Sequence, residues 1–169
     1  MIRTIVKYPE PVLQQPGEPV TEFDAELRKL IADLFETMYA SQGIGLAAQQ
    51  VGVAKRVAVV DLSQAKEPAK KLVLVNPEVI FQEGKQYEEE GCLSFPDIRE
   101  KVSRAAKVRI RAQDEKGKWF EMDADELLSR AFQHEIDHLD GTLFIFRMSA
   151  LKRDLNLRKI RKMQREGKW

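Results

Sequence analysis

The sequence predicts one domain in which helices and antiparallel strands occupy separate stretches of the chain. Residues 24–41 place apolar side chains at helical spacing. Residues 107–113 alternate between basic and apolar side chains, as does an antiparallel strand with one solvent-exposed face. Residues 123–140 return to helical spacing and contain both histidines of the chain. A length of 169 residues suits a single domain with a substantial core, and no linker or internal repeat divides it.

The composition excludes several classes of protein. Hydrophobic residues make up 43% and charged residues 33% of the chain, which is typical of a globular domain. Residues 1–12 lack the pattern of a signal peptide, and no apolar run approaches the ~20 residues that a membrane-spanning helix needs. The single cysteine, Cys92, cannot form an internal disulfide. We therefore expect a cytoplasmic protein that makes no membrane contact.

The N-terminal part is predicted to be extended at first and then helical. Four prolines among residues 9–19 disfavour a helix and favour an extended segment that lies across the domain. Asp24 is a suitable N-cap for a first helix that ends near Ser41. Its apolar positions form the single stripe of a core helix: Leu27, Leu30, Ile31, Leu34, Phe35 and Met38.

Strands are expected in the central part of the chain. Residues 56–62 and 72–75 are rich in valine and leucine, as buried strands are, and a polar loop separates them. Residues 107–113 and 119–122 form a predicted hairpin around a loop at 114–117. The second long helix follows this hairpin.

The ends of the second helix have recognisable signals. Asp123 and Glu126 have the spacing of a capping box, which predicts that the helix begins there. Asp140 is followed by Gly141, and glycine is the usual residue just beyond a helix end.

Both histidines of the chain lie on this helix. His134 and His138 are four residues apart, so both imidazoles point from one face, with Glu135 beside them. This pattern is typical of metal-dependent hydrolases, in which the glutamate acts as general base on water. Leu128 and Phe132 lie near Glu135 on the helix, and such surroundings raise the pKa of a carboxyl group towards neutrality. The alternative is a helix that happens to carry two core histidines.

Two histidines leave a catalytic metal site one protein ligand short. Metzincins have a third histidine downstream, but Phe144 stands at that position here. Glu166, the only later glutamate, lies in a basic tail and is a poor candidate. Cys92 is the remaining strong ligand, and a metal would hold it as thiolate. Its segment precedes an expected proline turn, which argues against the alternative of a free buried cysteine.

The segment 43–50 matches a relaxed dinucleotide-binding fingerprint. That fingerprint requires a preceding strand, whereas here a long helix precedes it, so we reject a nucleotide site. Two readings of Gly43 and Gly45 stay open from the residues alone. The glycines either allow a close approach of the backbone, or they mark a helix end followed by small packing residues.

Three motifs together resemble those of the peptide deformylase family. They are Gly43–Gln50, Glu90–Ser94 and Gln133–His138, in the expected order and at the expected separation. The resemblance covers nearly the whole chain. It implies an α+β fold in which antiparallel β-sheets pack around a central metal-binding helix, with an N-terminal helix and a C-terminal helix. It also implies an enzyme that removes the formyl group from the N-terminal formyl-methionine of nascent polypeptides.

The resemblance also implies roles for residues of the site. Cys92, His134 and His138 would hold one divalent metal ion, and Glu135 would be the base. The Gln50 side-chain amide and the Leu93 backbone N–H would donate to the formyl oxygen. The other candidates are the substrate-binding residues Ile44, Gly45, Gly91, Leu127 and Ala131, and an ion pair of Glu90 and Arg104 that would fix the cysteine loop.

The identity of the metal is not fixed by these residues. One cysteine and two histidines suit zinc, which is also favoured over ferrous iron by affinity. The resemblance implies ferrous iron, with nickel, cobalt or zinc able to substitute.

The C-terminal segment 149–169 is strongly basic. It contains eight Lys or Arg residues and two Asp or Glu, a net charge of +6, whereas the whole chain carries +1. Leu151, Leu155, Ile160 and Met163 supply apolar positions, so we expect a helix with one packed side. On charge alone a solvated terminal helix is the simpler interpretation. A nascent-chain substrate and the family resemblance favour docking on ribosomal RNA.

Two other classes of function share the metal helix. A general metallopeptidase would cleave internal peptide bonds and would not need Gln50. A non-enzymatic metal-binding module would close the site with a fourth protein ligand, and the sequence offers none of comparable quality. We expect the enzyme to be a monomer.

Overall fold

The computed structural model describes all residues from Met1 to Trp169. It contains three α-helices and seven β-strands. These are α1 (Ala25–Ala40), β1 (Gly45–Ala47), β2 (Val57–Val60), β3 (Leu72–Glu83), β4 (Gln86–Cys92), β5 (Phe95–Arg104), β6 (Lys107–Gln113), β7 (Trp119–Asp125), α2 (Glu126–Leu139) and α3 (Ala150–Arg165). None of the three helices combines the length and the apolar character that a bilayer crossing requires.

Five strands form one antiparallel sheet in the order β1-β2-β3-β6-β7. The predicted strands 56–62 and 72–75 are β2 and the first part of β3, and Val59 lies opposite Val73. Strand β3 continues to Glu83, further than predicted, because its second half pairs with β6. That half is mostly exposed, and its apolar run of Val79, Ile80 and Phe81 is shorter than the four to eight residues by which a buried strand is recognised.

Strands β4 and β5 form a separate two-stranded sheet, the hairpin 86–104. The sequence did not indicate these strands, because the acidic run Glu88–Glu90 has low β propensity. The turn of the hairpin lies at Leu93 and Ser94. The expected proline turn is wrong, since Pro96 lies inside β5.

Helix α1 follows its prediction closely. The Asp24 carboxylate accepts a hydrogen bond from the Leu27 N–H at 3.0 Å, which caps the helix, and the predicted apolar stripe is buried. The helix ends at Ala40, and Gln42 rather than Gly43 adopts a left-handed conformation, with φ of 58°. A glycine helix end is therefore not the reason for Gly43.

Helix α2 lies between the two sheets. Its N-cap is Asp125, and the predicted capping box of Asp123 and Glu126 is wrong. Strand β7 runs on to Asp125, so Asp123 is still in the sheet, where its carboxylate accepts from Arg109 Nε at 2.7 Å. The C-terminal end is as predicted, with Gly141 in the left-handed region at φ of 81°.

The two ends of the chain pack on the hairpin. Residues Pro11–Gln14 form a short 3-10 helix, which the prediction of a purely extended segment missed. Helix α3 has Ser149 as its N-cap and ends at Arg165, short of the expected end at 169, and Ile160 is buried. Leu151 and Leu155, expected among the apolar positions of a packed side, are instead exposed. The packed side consists of Ile160 with the partly buried Leu157.

Candidate metal centre

Three candidate ligands meet at one point between the hairpin and helix α2. The ligand atoms of Cys92, His134 and His138 all lie within 4.8 Å of one another. The two histidine Nε2 atoms are 3.2 Å apart, and Cys92 Sγ lies 3.4 Å from His138 Nε2. The cysteine comes from the end of β4 and the histidines from successive turns of α2.

The tautomer of His134 is set by its neighbour. Its Nδ1 lies 2.6 Å from Glu90 Oε2, and because a carboxylate only accepts, the ring nitrogen must donate. The Nε2 lone pair is then directed towards His138 and Cys92. Burial lowers the pKa of His138, and the positive charge of Arg104 lowers it further, which favours the neutral ring that binds metals.

Glu90 is the centre of a buried charge network. Its Oε1 accepts from Arg104 Nε at 3.1 Å and Arg130 Nη1 at 2.8 Å, and its Oε2 accepts from Arg104 Nη2 at 2.7 Å. The pair of Glu90 and Arg104 that the sequence suggested is thus present. Asp137 extends the network, because its Oδ2 accepts from Arg104 Nη1 at 2.6 Å and its Oδ1 from Arg147 Nη2 at 2.9 Å.

Glu135 follows His134 in the chain and lines the same cavity, but it takes no part in the hydrogen bonds around Glu90. It is 3% exposed, and its Oε1 has no hydrogen-bond partner. Burial raises the pKa of Glu135 to about 7, as its apolar neighbours predicted. A Cβ atom at Gly45 would come within 2.5 Å of Glu135 Oε2. Glycine is therefore required at position 45 because the backbone closely approaches Glu135. Of the two interpretations of this segment, the close approach is the one that applies to Gly45.

Gln50 faces the same point from the first motif. Its Oε1 accepts from the Ala47 N–H at 3.0 Å, which orients the amide. Its Nε2 is then directed towards Ser94 Oγ at 3.1 Å and Cys92 Sγ at 3.6 Å. The amide donor thus lies next to the candidate metal ligand.

A cavity of about 630 Å³ opens at this site. Its lining includes every substrate-binding candidate from the sequence: Ile44, Gly45, Gly91, Leu127 and Ala131. Leu127 is 49% exposed and lies at the rim. Arg130 also lines the cavity, so one wall is polar.

The residues fit a divalent metal ion. Two imidazole nitrogens and a sulfur converge within contact distance, and facing lone pairs at 3.2 Å are stabilised by a shared cation. No fourth side chain that could act as a ligand joins the cluster, which is the open arrangement of a catalytic site.

Sequence reasoning missed several residues that support the site. Ser94, in the second motif, holds the Gln50 amide, and its place in the motif was the available signal. Asp137 and Arg147 were not selected, because nothing in the linear pattern indicates that they share a network with Arg104. Arg130 was visible as a charge on an otherwise apolar stretch of the helix.

Comparisons with known proteins agree on one family. The model of the family described as polypeptide deformylase matches residues 2–154. A curated peptide deformylase of Acidobacterium capsulatum is 71% identical over 169 residues, which cover 100% of this chain and 99% of the relative.

Solved structures give the same result. The crystal structure of a peptide deformylase from Legionella pneumophila superposes with a TM-score of 0.92 at 43% identity, covering 99% of this chain and 98% of that one. A peptide deformylase from Plasmodium falciparum gives a TM-score of 0.89 at 39% identity, covering 96% and 95%.

Proposed function

This chain belongs to the polypeptide deformylase family, and from that premise we propose how its residues divide the reaction among them. The enzyme is a hydrolase that removes the formyl group from the N-terminal formyl-methionine of newly synthesised polypeptides and releases formate. A general metallopeptidase is not favoured.

Cys92, His134 and His138 would hold one divalent metal ion. A bound ion supplies Lewis-acid chemistry, since it lowers the pKa of water from ~15.7 to ~7 and polarises a carbonyl oxygen. Glu90 supports this assignment, because it fixes the His134 ring with Nε2 free.

Glu135 moves the proton. Its unpartnered Oε1 accepts a proton from water as the water oxygen attacks the formyl carbon. The C–N bond then breaks, Glu135 gives the proton to the leaving amine, and the products are formate and a free N-terminus. The approach of Gly45 to Glu135 Oε2 leaves little room for this carboxylate to move.

Gln50 and Leu93 stabilise the charge that develops on the formyl oxygen. The Gln50 amide is oriented before substrate binds, because Ala47 holds its oxygen and Ser94 its nitrogen. The Leu93 N–H follows directly on Cys92 in the chain. One such donor is worth ~3–4 kcal/mol in the transition state.

The cavity binds the substrate's methionine and adjoining backbone. Ile44, Leu127 and Ala131 line the pocket for the methionine side chain. Gly45 and Gly91 have no side chain to keep the substrate backbone from pairing with the edges of β1 and β4.

The single observation that carries this proposal is the convergence of Cys92, both histidines, Glu135 and Gln50 at one cavity. The test is to incubate the metal-loaded enzyme with a formyl-Met peptide and with its acetylated analogue. We expect equimolar formate and free amine from the formyl peptide, with the acetylated peptide intact. Cleavage of internal peptide bonds would instead indicate a metallopeptidase.

Ferrous iron is the proposed native ion, and nickel, cobalt or zinc can substitute. The support is the family resemblance alone, since the ligands also suit zinc. An iron–thiolate site should be inactivated by oxygen. Activity half-lives in air should therefore be much shorter for iron-loaded than for nickel-loaded enzyme. Equal half-lives would contradict iron as the vulnerable component.

The basic helix α3 is proposed to dock the enzyme on the ribosome. Five basic residues of α3 are exposed, and so is Lys168 beyond its end. The five are Arg158, Lys159, Arg161, Lys162 and Arg165. Clustered cations of this kind bind phosphate backbones in a salt-dependent manner. The substrate, a nascent chain, is found at the ribosome.

Substitution tests this docking better than deletion, because removing the helix would uncover the cluster around Ile160. Arg158, Lys162 and Arg165 changed to Gln should abolish salt-sensitive co-sedimentation with ribosomes and leave activity on short formyl-Met peptides intact. A triple change of Lys66, Lys70 and Lys116, which are exposed elsewhere, is the matched control. Unchanged co-sedimentation of the first variant would place docking elsewhere.

The remaining parts of the proposal concern organisation. Residues 1–169 act as one catalytic domain, with 149–169 as its basic helix, since Ile160 shares a buried cluster with the hairpin. The enzyme works as a monomer in the cytoplasm. The monomer is supported by the three candidate ligands, which all come from one chain. The cytoplasmic location is supported by a substrate that is found at the ribosome.

A further inference from the structure

The candidate metal ligands lie on two parts of the structure, the hairpin 86–104 and helix α2, which no β-sheet hydrogen bonds connect. Cys92 ends β4 of the hairpin, whereas His134 and His138 lie on α2. The hairpin forms its own two-stranded sheet, separate from the five-stranded sheet against which α2 packs. The position of Cys92 relative to the two histidines therefore depends on the contacts between the hairpin and the helix.

Arg130 makes the most extensive of these contacts. It lies one helical turn before His134, is 4% exposed, and uses all three guanidinium nitrogens. Nη1 donates to Glu90 Oε1 at 2.8 Å and Nε to Gln86 Oε1 at 3.2 Å, both on β4. Nη2 donates to the Val102 carbonyl on β5 at 2.9 Å. One side chain of α2 thus forms hydrogen bonds with both strands of the hairpin.

The contact with Glu90 places Arg130 close to the metal ligands. Arg130 and His134 bond to opposite oxygens of the same carboxylate, which stands two residues before Cys92. Arg104 also holds Glu90, but it belongs to the hairpin and reaches α2 only through Asp137. Arg130 and His134 both link the helix directly to the cysteine strand, and of the two only Arg130 also bonds to β5.

We propose that Arg130 is a positioning residue that clamps the cysteine-bearing hairpin against the histidine-bearing helix and thereby presets the three metal ligands. The inference rests on the proposed assignment of Cys92, His134 and His138 as ligands. Arginine suits the task because its planar fork offers donors in several directions at once. A lysine reaches only one of the three acceptors, and an apolar residue reaches none.

The test compares four metal-loaded proteins: wild type, Arg130→Met, Arg130→Lys and Arg147→Met. Arg147 is the matched control, because it is a cation of the same network but bonds only to Asp137. Release of the metal to excess chelator is followed by the appearance of a reactive thiol, which can come only from Cys92, the single cysteine. Amide hydrogen exchange is measured across the hairpin 86–104 and the five-stranded sheet.

We expect Arg130→Met to lose its metal on the order of 10–100-fold faster than wild type, the usual effect of removing an outer partner of a metal ligand. Exchange should rise in β4 and β5 and stay unchanged in the five-stranded sheet. Arg147→Met should stay within about twofold of wild type, since its exposed ion pair is worth little. Arg130→Lys should lie between, and it decides the question if Arg130→Met does not fold.

Metal release from both Arg130 variants at the wild-type rate would overturn the inference. Equal effects of Arg130→Met and Arg147→Met, or a uniform rise in exchange across the chain, would overturn it as well, because either indicates a loss of charge or stability rather than of a clamp. A reactive thiol in metal-loaded wild type would remove Cys92 as a ligand and overturn both proposals. A protected wild-type thiol with unaffected Arg130 variants would overturn the clamp alone.

Discussion

Helix α2 has two sides that are built on different principles. The side facing the five-stranded sheet buries Phe132 and Ile136 among apolar residues of β6. The side facing the hairpin buries Arg130, His134 and Asp137, each with hydrogen-bonded partners. The residues of both sides are buried. Apolar contacts, which have no preferred direction, hold one side, and hydrogen bonds with defined distances and angles hold the other.

The difference between the two sides shows that the contacts that stabilise the helix are not the contacts that fix the positions of individual atoms. Apolar burial is roughly proportional to area and tolerates small shifts, so it holds the helix without specifying the position of one atom. Charge-assisted hydrogen bonds of 2.6–3.1 Å around Glu90 and Arg104 do specify positions. A buried ion pair contributes little net stability, so we infer that this network serves to place the proposed ligands.

The largest expected effect comes from Glu135, the proposed catalytic carboxylate. Glu135→Gln should lower kcat by about 10²–10⁴-fold, the range of general acid–base catalysis, because the amide cannot take the proton. Its metal content should match wild type, since Glu135 stands beside the ligands and is not one of them. Parallel metal analysis of His134→Ala, which should lose the ion, gives the comparison. Equal metal loss in the two variants would make Glu135 a ligand.

The apolar side is tested by Phe132→Ala. Phe132 is fully buried, so we expect the free energy of unfolding to fall by about 3–5 kcal/mol, measured by urea denaturation. The folded fraction should keep its metal and its turnover. A selective loss of metal without a loss of stability would show that this side also sets the site.

The close approach at Gly45 gives a smaller effect on turnover. Gly45→Ala places a Cβ 2.5 Å from Glu135 Oε2, which is too close for a nonbonded contact, so the carboxylate must move. We expect kcat to fall on the order of 10–100-fold, the cost of a misplaced catalytic group. Unfolding free energy and metal content serve as controls and should change little. Full activity in this variant would mean that Glu135 has more freedom than its packing indicates.

The smallest effect is predicted for a polar cluster far from the hairpin. Asp61 accepts from Tyr39 Oη at 2.5 Å and from the Ser63 N–H at 2.8 Å. Burial raises the pKa of Asp61, but the bonds from Ser63 and Tyr39 outweigh it, and the pKa is lowered overall. Asp61→Asn should reduce the free energy of unfolding at pH 7 by about 1–2 kcal/mol.

The pH dependence of this effect has a defined sign. A carboxyl group with a lowered folded-state pKa contributes stability above its unfolded pKa of about 3.9, and this is lost as pH falls through the folded value. The difference between wild type and Asp61→Asn should therefore be constant near neutral pH and shrink below about pH 4. A difference that grows on acidification would contradict the assignment.

Helix α2 and the hairpin also differ in how well the sequence predicts them. The apolar stripe, the helix end at Gly141 and the paired histidines follow from local periodicity, as does the strand at 107–113. The hairpin 86–104 was not predicted, because its acidic strand is stabilised by cations distant in sequence, such as Arg130 and Arg104. The capping box at Asp123 failed for a related reason, since pairing with β6 extended β7 over the expected helix start.

We propose that the hairpin and α2 together hold one metal ion with one sulfur and two nitrogens. X-ray absorption spectroscopy of the zinc-loaded enzyme tests it directly. We expect one sulfur at ~2.3 Å and two imidazole nitrogens at ~2.0–2.1 Å, with the remaining position filled by a light atom of solvent. The sulfur contribution should vanish in Cys92→Asp. A wild-type spectrum that requires no sulfur would contradict the claim.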